Sequence, residues 1–478
     1  MNILSSLKPT EVFRFFEEIS TVPRGSGNTS PIAEYCVNFA RMHNLKYIRD
    51  NADNVVIFKP AYKGYEKAEP IILQGHLDMV CQKTEDSDID FLKDGISLKV
   101  EGDFLMADGT TLGADNGIAV AMILSVLASD DIPHPAIEAV FTSDEEIGML
   151  GALALDKSVL SAKKMINLDS EDLDCMTVSC AGGSDFTAKI NLERETQTGN
   201  IITINIKGLK GGHSGVCINE GRVNANILCG RILATLYSDT PFNIISVNGG
   251  NKSNVITTVN QIKIISNDPE AVNKLDKIIK TIYEEYTYRE PKLNIDITVC
   301  EGTTKVINKV DSESIIFALA LCPTGVIAMS KEIERLVETS LNLGVLKTEE
   351  TSVTFNFALR SNKKSAIKYL EKRLDILFNK LGAEITVGGY YPPWEFNPDS
   401  VLQEVYKKSY TELFGAETRV EAIHAGLECG VFADAIENFD GIAIGPQMYD
   451  VHTVNERLQI STVNKIYTLL LKILEESK

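Results

Sequence analysis

The chain has 478 residues, of which 44% are hydrophobic and 24% charged, a composition typical of soluble globular proteins. This length exceeds what one compact core accommodates, so we expect at least two domains. The formal net charge of −19 argues against a nucleic-acid partner, because a nucleic-acid-binding surface needs clustered lysine and arginine.

Two further features favour a cytoplasmic protein without a membrane partner. No apolar run reaches the roughly 20 residues that a transmembrane helix requires, and the first residues lack the apolar region and cleavage site of a signal peptide. The nine cysteines are odd in number and scattered, without a Cys-x-x-Cys pair. We therefore expect neither a disulfide framework nor a cysteine zinc site.

Helices and apolar strands alternate through the first part of the chain. The pattern predicts an amphipathic helix after Pro9, a second helix at 31–42, and strands at 54–58, 71–73, 136–142 and 164–168. A further helix at 118–128 is apolar on most sides, so it is predicted to be buried. This alternation indicates an α/β sheet with helices on its faces.

Imidazole and carboxylate groups recur where these predicted strands end. In open α/β sheets, ligands bind outside the carboxyl ends of the strands, so we expect these groups to meet in one crevice. Imidazole nitrogen and carboxylate oxygen are typical ligands of Zn²⁺ and similar ions. The residues at strand ends are His76 and Asp78, Glu145 and Glu146, and Asp169, with Asp115 beside the buried helix.

The spacing within this set suggests particular chemistry. Along an extended strand, His76 and Asp78 face the same way, and a carboxylate behind a histidine fixes the ring orientation of a metal ligand. Two divalent ions about 3.5–4 Å apart can clamp a hydrolytic transition state and lower the pKa of a water. A neighbouring carboxylate then serves as general base. His452, late in the chain, is a further candidate ligand.

From about residue 185 the pattern changes to alternating strands and amphipathic helices. The order β-α-β-β-α-β over about 201–299 is ferredoxin-like, and a similar order follows over about 311–387. We therefore predict an inserted α+β domain at 185–387, made of two ferredoxin-like halves. Residues 1–184 and 388–478 are predicted to form one discontinuous catalytic domain, with Gly388–Pro393 as the return hinge.

Six motifs are spread over nearly the whole chain, and together they resemble the co-catalytic zinc M20 metallopeptidase family. Segments 19–28 and 424–430 resemble its aminoacyl-histidine dipeptidase (Xaa-His dipeptidase) branch. The resemblance implies a zinc-exopeptidase-like catalytic domain, with a mixed sheet flanked by helices, and makes the inserted domain a lid. The motifs are Gly75-His76-Leu77-Asp78, Gly113-Ala114-Asp115-Asn116-Gly117, Asp144-Glu145-Glu146-Ile147-Gly148, Asn167-Leu168-Asp169, Gly211-Gly212-His213-Ser214-Gly215 and Tyr449-Asp450-Val451-His452-Thr453.

The resemblance implies a cofactor of two divalent metal ions, with zinc as the first choice and manganese or cobalt as alternatives. Asp78 would orient a metal-binding histidine, Glu145 would be the general base, and a cis peptide bond would follow Asp115. The implied ligands are Asp115 as the bridge, His76 and Asp169 on one ion, and Glu146 and His452 on the other.

The resemblance also implies roles for residues of the inserted domain and the late segment. His213 would stabilise the oxyanion that develops on the scissile carbonyl. Asn254 and Arg360 would bind the end of the substrate, because a guanidinium can hold a terminal carboxylate bidentately. His424 either lines the substrate site, together with Gly426, or packs beneath the adjacent loop.

The leading hypothesis is a cytosolic metallodipeptidase that hydrolyses unblocked dipeptides, including Xaa-His substrates such as β-Ala-His. One alternative is a broader dipeptidase or tripeptidase, or an amidohydrolase acting on N-acyl amino acids. Another is a non-catalytic binding protein of the same fold, against which the complete ligand set and Glu145 argue. The sequence leaves open the metal, the side-chain preference and the choice between monomer and homodimer.

Overall fold

A computed structural model describes residues 3–478, and several of its helices begin and end close to the predicted positions. The α-helices are α1 (Thr10–Ser20), α2 (Ser30–Met42), α3 (Ala114–Ala128), α4 (Leu150–Ala154), α5 (Ala225–Tyr237), α6 (Ala271–Tyr286), α7 (Lys309–Leu321), α8 (Lys364–Lys380), α9 (Val401–Phe414), α10 (Glu428–Ala435) and α11 (Ile460–Glu476). Across residues 3–478, no helix is long and apolar enough to cross a membrane.

The strands fall between these helices. They are β1 (Lys46–Arg49), β2 (Val55–Lys59), β3 (Ile71–His76), β4 (Leu98–Glu101), β5 (Phe104–Ala107), β6 (Ile137–Thr142), β7 (Lys164–Asn167), β8 (Cys175–Cys180), β9 (Gly182–Asn191), β10 (Arg194–Lys207), β11 (Gly212–His213), β12 (Asn243–Gly249), β13 (Val255–Ile256), β14 (Asn260–Ser266), β15 (Asn294–Ile307), β16 (Gly325–Met329), β17 (Val337–Thr348), β18 (Ser352–Ser361), β19 (Glu384–Tyr391), β20 (Arg419–Ile423), β21 (Asp440–Ala443), β22 (Met448–Tyr449) and β23 (Arg457–Gln459).

The described residues divide into two compact units. Unit one comprises residues 3–180 with Trp394–Ala422 and Leu427–Lys478, and unit two comprises Ala181–Pro393 with Ile423–Gly426. The segment Ile423–Gly426 differs from the predicted division, which places it in the catalytic domain. Its position in unit two has a local cause, because the Ala181 amide donates to the carbonyls of Ile423 and Ala425 at 3.1 and 3.0 Å.

Unit one is built on a mixed sheet with the strand order β1-β2-β6-β3-β7-β21-β8-β20. Its centre is parallel, since β3 pairs in parallel with β6 and β7, and β7 pairs in parallel with β21. The flanking pairs β1-β2, β2-β6 and β21-β8 are antiparallel. The predicted α/β fold is therefore confirmed, and the carboxyl ends of the central strands lie side by side.

The helix predicted to be buried is α3. Every residue from Ala114 to Leu127 is buried, as expected for a segment that is apolar on all sides. It packs against β3 and α1. Regular helical geometry is interrupted near its start, because Asp115 and Asn116 have non-helical dihedral angles. This break sets Asp115 apart from the regular turns that follow.

Unit two contains an antiparallel sheet with the order β15-β10-β14-β12-β17-β18-β9-β19. Its halves are β10-α5-β12-β14-α6-β15 and β9-α7-β17-β18-α8-β19. With the strands of each half numbered 1 to 4 along the chain, both halves have the order 4-1-3-2. The halves join where Gly249 of β12 pairs with Leu346 of β17.

Two features of unit two differ from the sequence prediction. Strand β9 belongs to the second half but precedes the whole first half in the chain. It is not among the predicted strands. The predicted hinge Gly388–Pro393 lies partly within β19, which pairs with β9 as far as Tyr391. The register shifts between Gly388 and Tyr391, and Gly389 has a φ of +58°, which glycine adopts without strain. A glycine-rich run here marks a bulge.

An aromatic cluster around α8 generates a stability prediction. Phe378 is fully buried, with ring centroids of Phe355, Phe357 and Phe186 at 5.1, 5.7 and 6.2 Å. We expect Phe378→Ala to lower the free energy of unfolding by about 3–5 kcal/mol, because it opens a cavity. Tyr369→Ala on the same helix, where the side chain is 66% exposed, should change it by less than about 0.5 kcal/mol. Chemical denaturation measures both, and equal losses would contradict the prediction.

Candidate metal centre

The central parallel strands of unit one bring the predicted ligands to one edge of the sheet. His76 is the last residue of β3 and pairs in register with Thr142, the last residue of β6. Asp169 follows β7 by two residues, and the loop with Glu146 follows β6. Because β6, β3 and β7 are neighbours and parallel, their ends meet at one place.

His76 is 1% exposed and is held between carboxylates on both sides of its ring. Its Nδ1 lies 3.1 Å from the backbone oxygen of Asp78 and 3.3 Å from Asp78 Oδ1. On the other side, its Nε2 lies 3.1 Å from Asp115 Oδ1 and 3.5 Å from Asp169 Oδ1. Asp78 thus faces the nitrogen that points away from the other acids.

His452 approaches the same carboxylate from the opposite side. Its Nε2 is 3.0 Å from Asp115 Oδ2 and 3.0 Å from Glu146 Oε1. His452 lies in the loop after β22 and has a φ of +64°, a backbone conformation that non-glycine residues rarely adopt. The two oxygens of Asp115 therefore each face the Nε2 atom of a different imidazole, and each of these Nε2 atoms also faces one further carboxylate.

This donor set fits two divalent cations. Two ligand atoms bound at about 2.0–2.2 Å to one tetrahedral ion lie about 3.3–3.6 Å apart, close to the 3.0–3.5 Å between these donors. Glu146 Oε1 is buried and accepts no hydrogen bond, although His452 Nε2 is near. Ligand atoms of His76, Asp115 and Glu146 lie within 4.8 Å of one another.

The charges in this cluster attract cations strongly. The nearby carboxylates of Asp115 and Glu146 raise the pKa of His452 to about 11. Burial disfavours a charge on His76, but Asp169, Asp115 and Asp78 outweigh it and raise its pKa. Burial likewise opposes the charge on Asp115, yet contacts with both imidazoles lower its pKa. Burial raises the pKa of Asp169 to about 6. The surplus of negative charge favours bound cations.

The loop before Asp115 is fixed by one remote carboxylate. Glu456, which is 2% exposed, accepts hydrogen bonds from the backbone amides of Leu112, Gly113, Ala114 and Asp115 at 2.8–3.3 Å. Glu456 is not among the residues predicted for the site. No motif could indicate it, because its partners are backbone groups more than 340 positions earlier.

Asn116 connects Asp115 with two strand ends. The Asp115–Asn116 peptide bond is cis, as the family resemblance implies. The Asn116 side chain accepts from the His76 amide at 3.1 Å and donates to the Leu168 carbonyl at 2.9 Å. A Cβ at Gly75 would lie 2.5 Å from Asn116 Oδ1. The glycine before His76 is therefore required for this close approach.

Asp78 also anchors the loop after β6. Its Oδ1 accepts from the Glu145 amide at 3.0 Å, and its Oδ2 accepts from the Glu146 amide at 3.2 Å and from Ser26 Oγ at 2.8 Å. Asp78 therefore does more than face His76. It fixes the backbone that carries the predicted general base and one predicted ligand.

Glu145 lies beside the candidate ligands. Burial raises its pKa well above the ordinary value, and the negative charges of Asp169, Glu428 and Glu146 act in the same direction, while His76 opposes them. A carboxylate whose charge is disfavoured in this way is a stronger base than an exposed one.

Arg24, which is not among the predicted site residues, supports the backbone around the candidate ligands. Its guanidinium is buried and donates to the carbonyls of Leu77 and Asp78 at 3.2 and 3.4 Å and to the carbonyl of Gly113. It therefore ties the turn after β3 to the loop before Asp115. The only sequence signal for Arg24 is its position in the segment 19–28.

Unit two holds the other predicted site residues. His213 Nδ1 accepts from the amides of Gly215 and Val216 at 3.3 Å each, so the neutral ring carries its proton on Nε2. That Nε2 lies 3.4 Å from an Arg360 guanidinium nitrogen. Burial lowers the pKa of His213, and Arg360 lowers it further. Arg360 donates to the Tyr391 hydroxyl at 2.7 Å.

The remaining predicted binders also belong to unit two. His424 is buried and its Nε2 is 2.7 Å from Ser340 Oγ, and both alternatives for its role stay predictions. Gly426 ends the segment that contains it. Asn254 and Arg360 line one cavity of about 360 Å³ within this unit.

Comparisons with known proteins identify the family of this chain. Residues 72–476 match the sequence profile of peptidase family M20/M25/M40. The chain is 36% identical to the cytosol non-specific dipeptidase of Escherichia coli (strain K12) over 482 aligned positions, which cover 100% of this chain and 99% of that protein.

Solved structures give the same result. The crystal structure of aminoacylhistidine dipeptidase from Vibrio alginolyticus is similar with a TM-score of 0.92 and 35% identity, covering 99% of this chain and 98% of that one. Aminopeptidase PepT from Bacillus cereus shares the fold, with a TM-score of 0.56, 18% identity and coverage of 98% and 99%. The resemblance read from the motifs is confirmed: the chain belongs to peptidase family M20/M25/M40.

Proposed function

We propose that this chain is a cytoplasmic dipeptidase that uses two divalent metal ions, zinc in the first instance, to hydrolyse unblocked dipeptides, including Xaa-His substrates. The observation that carries the proposal is the arrangement of Asp115, whose two carboxylate oxygens lie 3.1 and 3.0 Å from two different imidazoles. The relatives at 36% and 35% identity, named as a cytosol non-specific dipeptidase and an aminoacylhistidine dipeptidase, support the reaction class.

In this proposal, Glu145 transfers protons, while Asp78 positions both Glu145 and His76. When bound, two such ions polarise the scissile carbonyl and lower the pKa of the attacking water. Glu145 takes the proton of that water and later passes it to the leaving amine. Asp78 keeps Glu145 in place by accepting a hydrogen bond from its backbone amide. Asp78 also holds His76 in orientation through Nδ1.

His213 and Arg360 present two hydrogen-bond donors side by side. With Nδ1 occupied as an acceptor, His213 Nε2–H and the guanidinium cannot satisfy each other, although they are 3.4 Å apart. Such a pair suits an oxygen that bears negative charge. We assign His213 to the oxyanion of the scissile carbonyl. Arg360, with Asn254, is assigned to the terminal carboxylate of the substrate.

His424 acts in this scheme as a neutral residue. Burial lowers its pKa to about 3, and the positive charge of Arg360 acts in the same direction. A neutral His424 next to Ser340 keeps the segment with Gly426 in one conformation. This segment is proposed to contact the substrate through its backbone.

The first prediction concerns substrate and metal together. Hydrolysis is measured for Xaa-His, other dipeptides, tripeptides and N-acyl amino acids, with and without a chelator and with Zn²⁺, Mn²⁺ or Co²⁺ added back. We expect hydrolysis of unblocked dipeptides that a chelator abolishes and metal restores, because the ions supply the activated water. Activity that survives complete metal removal would contradict the proposal, and a preference for N-acylated substrates would replace the dipeptidase assignment.

The second prediction isolates the general base. Glu145→Gln should lower kcat by at least about 100-fold, because proton transfer by a positioned side chain contributes about 10²–10⁴-fold. Its metal content, measured by elemental analysis, should stay that of the wild type. Glu146→Gln is the matched comparison on the adjacent residue, and it should lose metal. A Glu145→Gln variant with kcat within tenfold of wild type would remove the assigned role.

The third prediction uses the buried His424. Because its folded-state pKa of about 3 lies below the ordinary value of 6.5, the folded protein binds fewer protons than the unfolded chain. Its contribution to stability is therefore complete above pH 6.5 and decreases as the pH falls toward 3. From pH 7.5 to pH 5, wild type should lose about 2 kcal/mol more unfolding free energy than His424→Gln. Parallel pH profiles in denaturant titrations would contradict this.

A further inference from the structure

A buried carboxylate that the mechanism above does not use lies behind the metal centre. Glu428, the first residue of α10, is 0% exposed. Its Oε2 accepts hydrogen bonds from Gln74 Nε2 at 2.5 Å and Thr142 Oγ1 at 2.6 Å. Both donors are neutral. Its Oε1 is buried and accepts no hydrogen bond.

Such a group is costly for the folded protein. A buried charge without a paired cation loses its hydration, and a buried polar atom without a partner calls for a specific explanation. Burial raises the pKa of Glu428 to about 7. The positive groups that act on it through space are His76 and Lys157, and neither donates a hydrogen bond to it. A neutral amide or an apolar side chain would be less costly here.

The hydrogen bonds of Glu428 reach the strands that end in the candidate ligands. Gln74 lies in β3 two residues before His76, and Thr142 is the last residue of β6. Gln74 also accepts from Asn167 Nδ2 at 2.5 Å, and Asn167 is the last residue of β7. One buried polar network therefore connects β3, β6 and β7 just before the residues that face the ions.

Glu428 also acts electrostatically on the candidate site. Its negative charge repels that of Glu145, and the charges of Asp169 and Asp78 repel its own. All of these carboxylates carry the same charge, so in the metal-free protein the charge of Glu428 adds to their mutual repulsion. In the metal-bound protein the same charge is favourable, because it attracts the cations placed between the ligands.

We propose that Glu428 is a positioning residue of the metal centre: an outer carboxylate, held beneath three strand ends by Gln74 and Thr142, whose negative charge stabilises the bound cations. The inference rests on the two-metal part of the proposed function. It assigns Glu428 no contact with the substrate. A merely structural role would instead make Glu428 a hydrogen-bond acceptor that stabilises the strands equally with and without metal.

Glu428→Gln separates these roles, because the amide oxygen can accept the same two hydrogen bonds while the charge is removed. At pH 8, we expect its affinity for Zn²⁺, measured by chelator competition, to fall about 10–100-fold. The melting temperature of the metal-free protein should equal or exceed that of wild type. Glu428→Asp, which keeps the charge, should bind Zn²⁺ with an affinity closer to wild type than to Glu428→Gln.

Glu138 offers a matched control at the opposite end of β6. It is a buried carboxylate whose oxygens are satisfied by Ser161 and Ala162, with hydrogen bonds of 2.6–3.1 Å. Glu138→Gln should lower the melting temperature of the metal-free and metal-loaded protein alike, and leave the Zn²⁺ affinity unchanged. It reports what the loss of a buried carboxylate does without a role in metal binding.

The outcomes are distinguishable. Zn²⁺ affinity of Glu428→Gln within twofold of wild type would overturn the inference while leaving the proposed function intact. Parallel loss of melting temperature with and without metal, as in Glu138→Gln, would do the same, and so would a Glu428→Gln protein that fails to fold. Wild-type protein that binds no Zn²⁺ would overturn both the two-metal proposal and this inference.

Discussion

The interaction on which unit one depends is the placement of Asp115 between two imidazoles. Its carboxylate faces His76 with one oxygen and His452 with the other, at a point where the backbone departs from the helical geometry of α3. Glu456 and Asn116 provide that geometry. Glu456 gathers four consecutive amides of the preceding loop, and Asn116 ties the cis peptide to the ends of β3 and β7. The position of Asp115 is thus fixed by hydrogen bonds between side chains and backbone groups that are distant in the sequence.

The second constraint is electrostatic. Carboxylates brought together at the ends of parallel strands repel one another, and burial strengthens that repulsion because the local dielectric constant is low. The pKa shifts reflect this conflict. The carboxylates of Asp115 and Glu146 raise the pKa of His452, and burial raises the pKa values of Asp169 and Glu145. Divalent cations bound between these groups would relieve this repulsion, so metal binding and the stability of this region are expected to be coupled.

How much the sequence predicts depends on whether a feature is local. His76, Asp169 and the Glu145 loop follow apolar strands directly, so pattern alone placed them at one edge of a sheet. Glu428 and Glu456 act through partners more than 280 positions away, and no local pattern encodes such contacts. Strand β9 was missed for a related reason, since an entire half of unit two separates it from its partners in the chain. The Gly388–Pro393 run combines a bulge in β19 with the end of unit two, since unit one resumes at Trp394, and one glycine-rich composition is typical of both features.

Under the proposed function, the candidate metal centre of unit one would carry out the reaction without selecting the substrate. A scissile carbonyl, an attacking water and a leaving amine are common to every dipeptide, so groups that act on them cannot distinguish one side chain from another. The roles proposed for Arg360 and His213 likewise involve oxygens that all dipeptides carry. Under this proposal, selection between substrates would arise from side chains around these donors, such as those that line the cavity of unit two with Asn254 and Arg360.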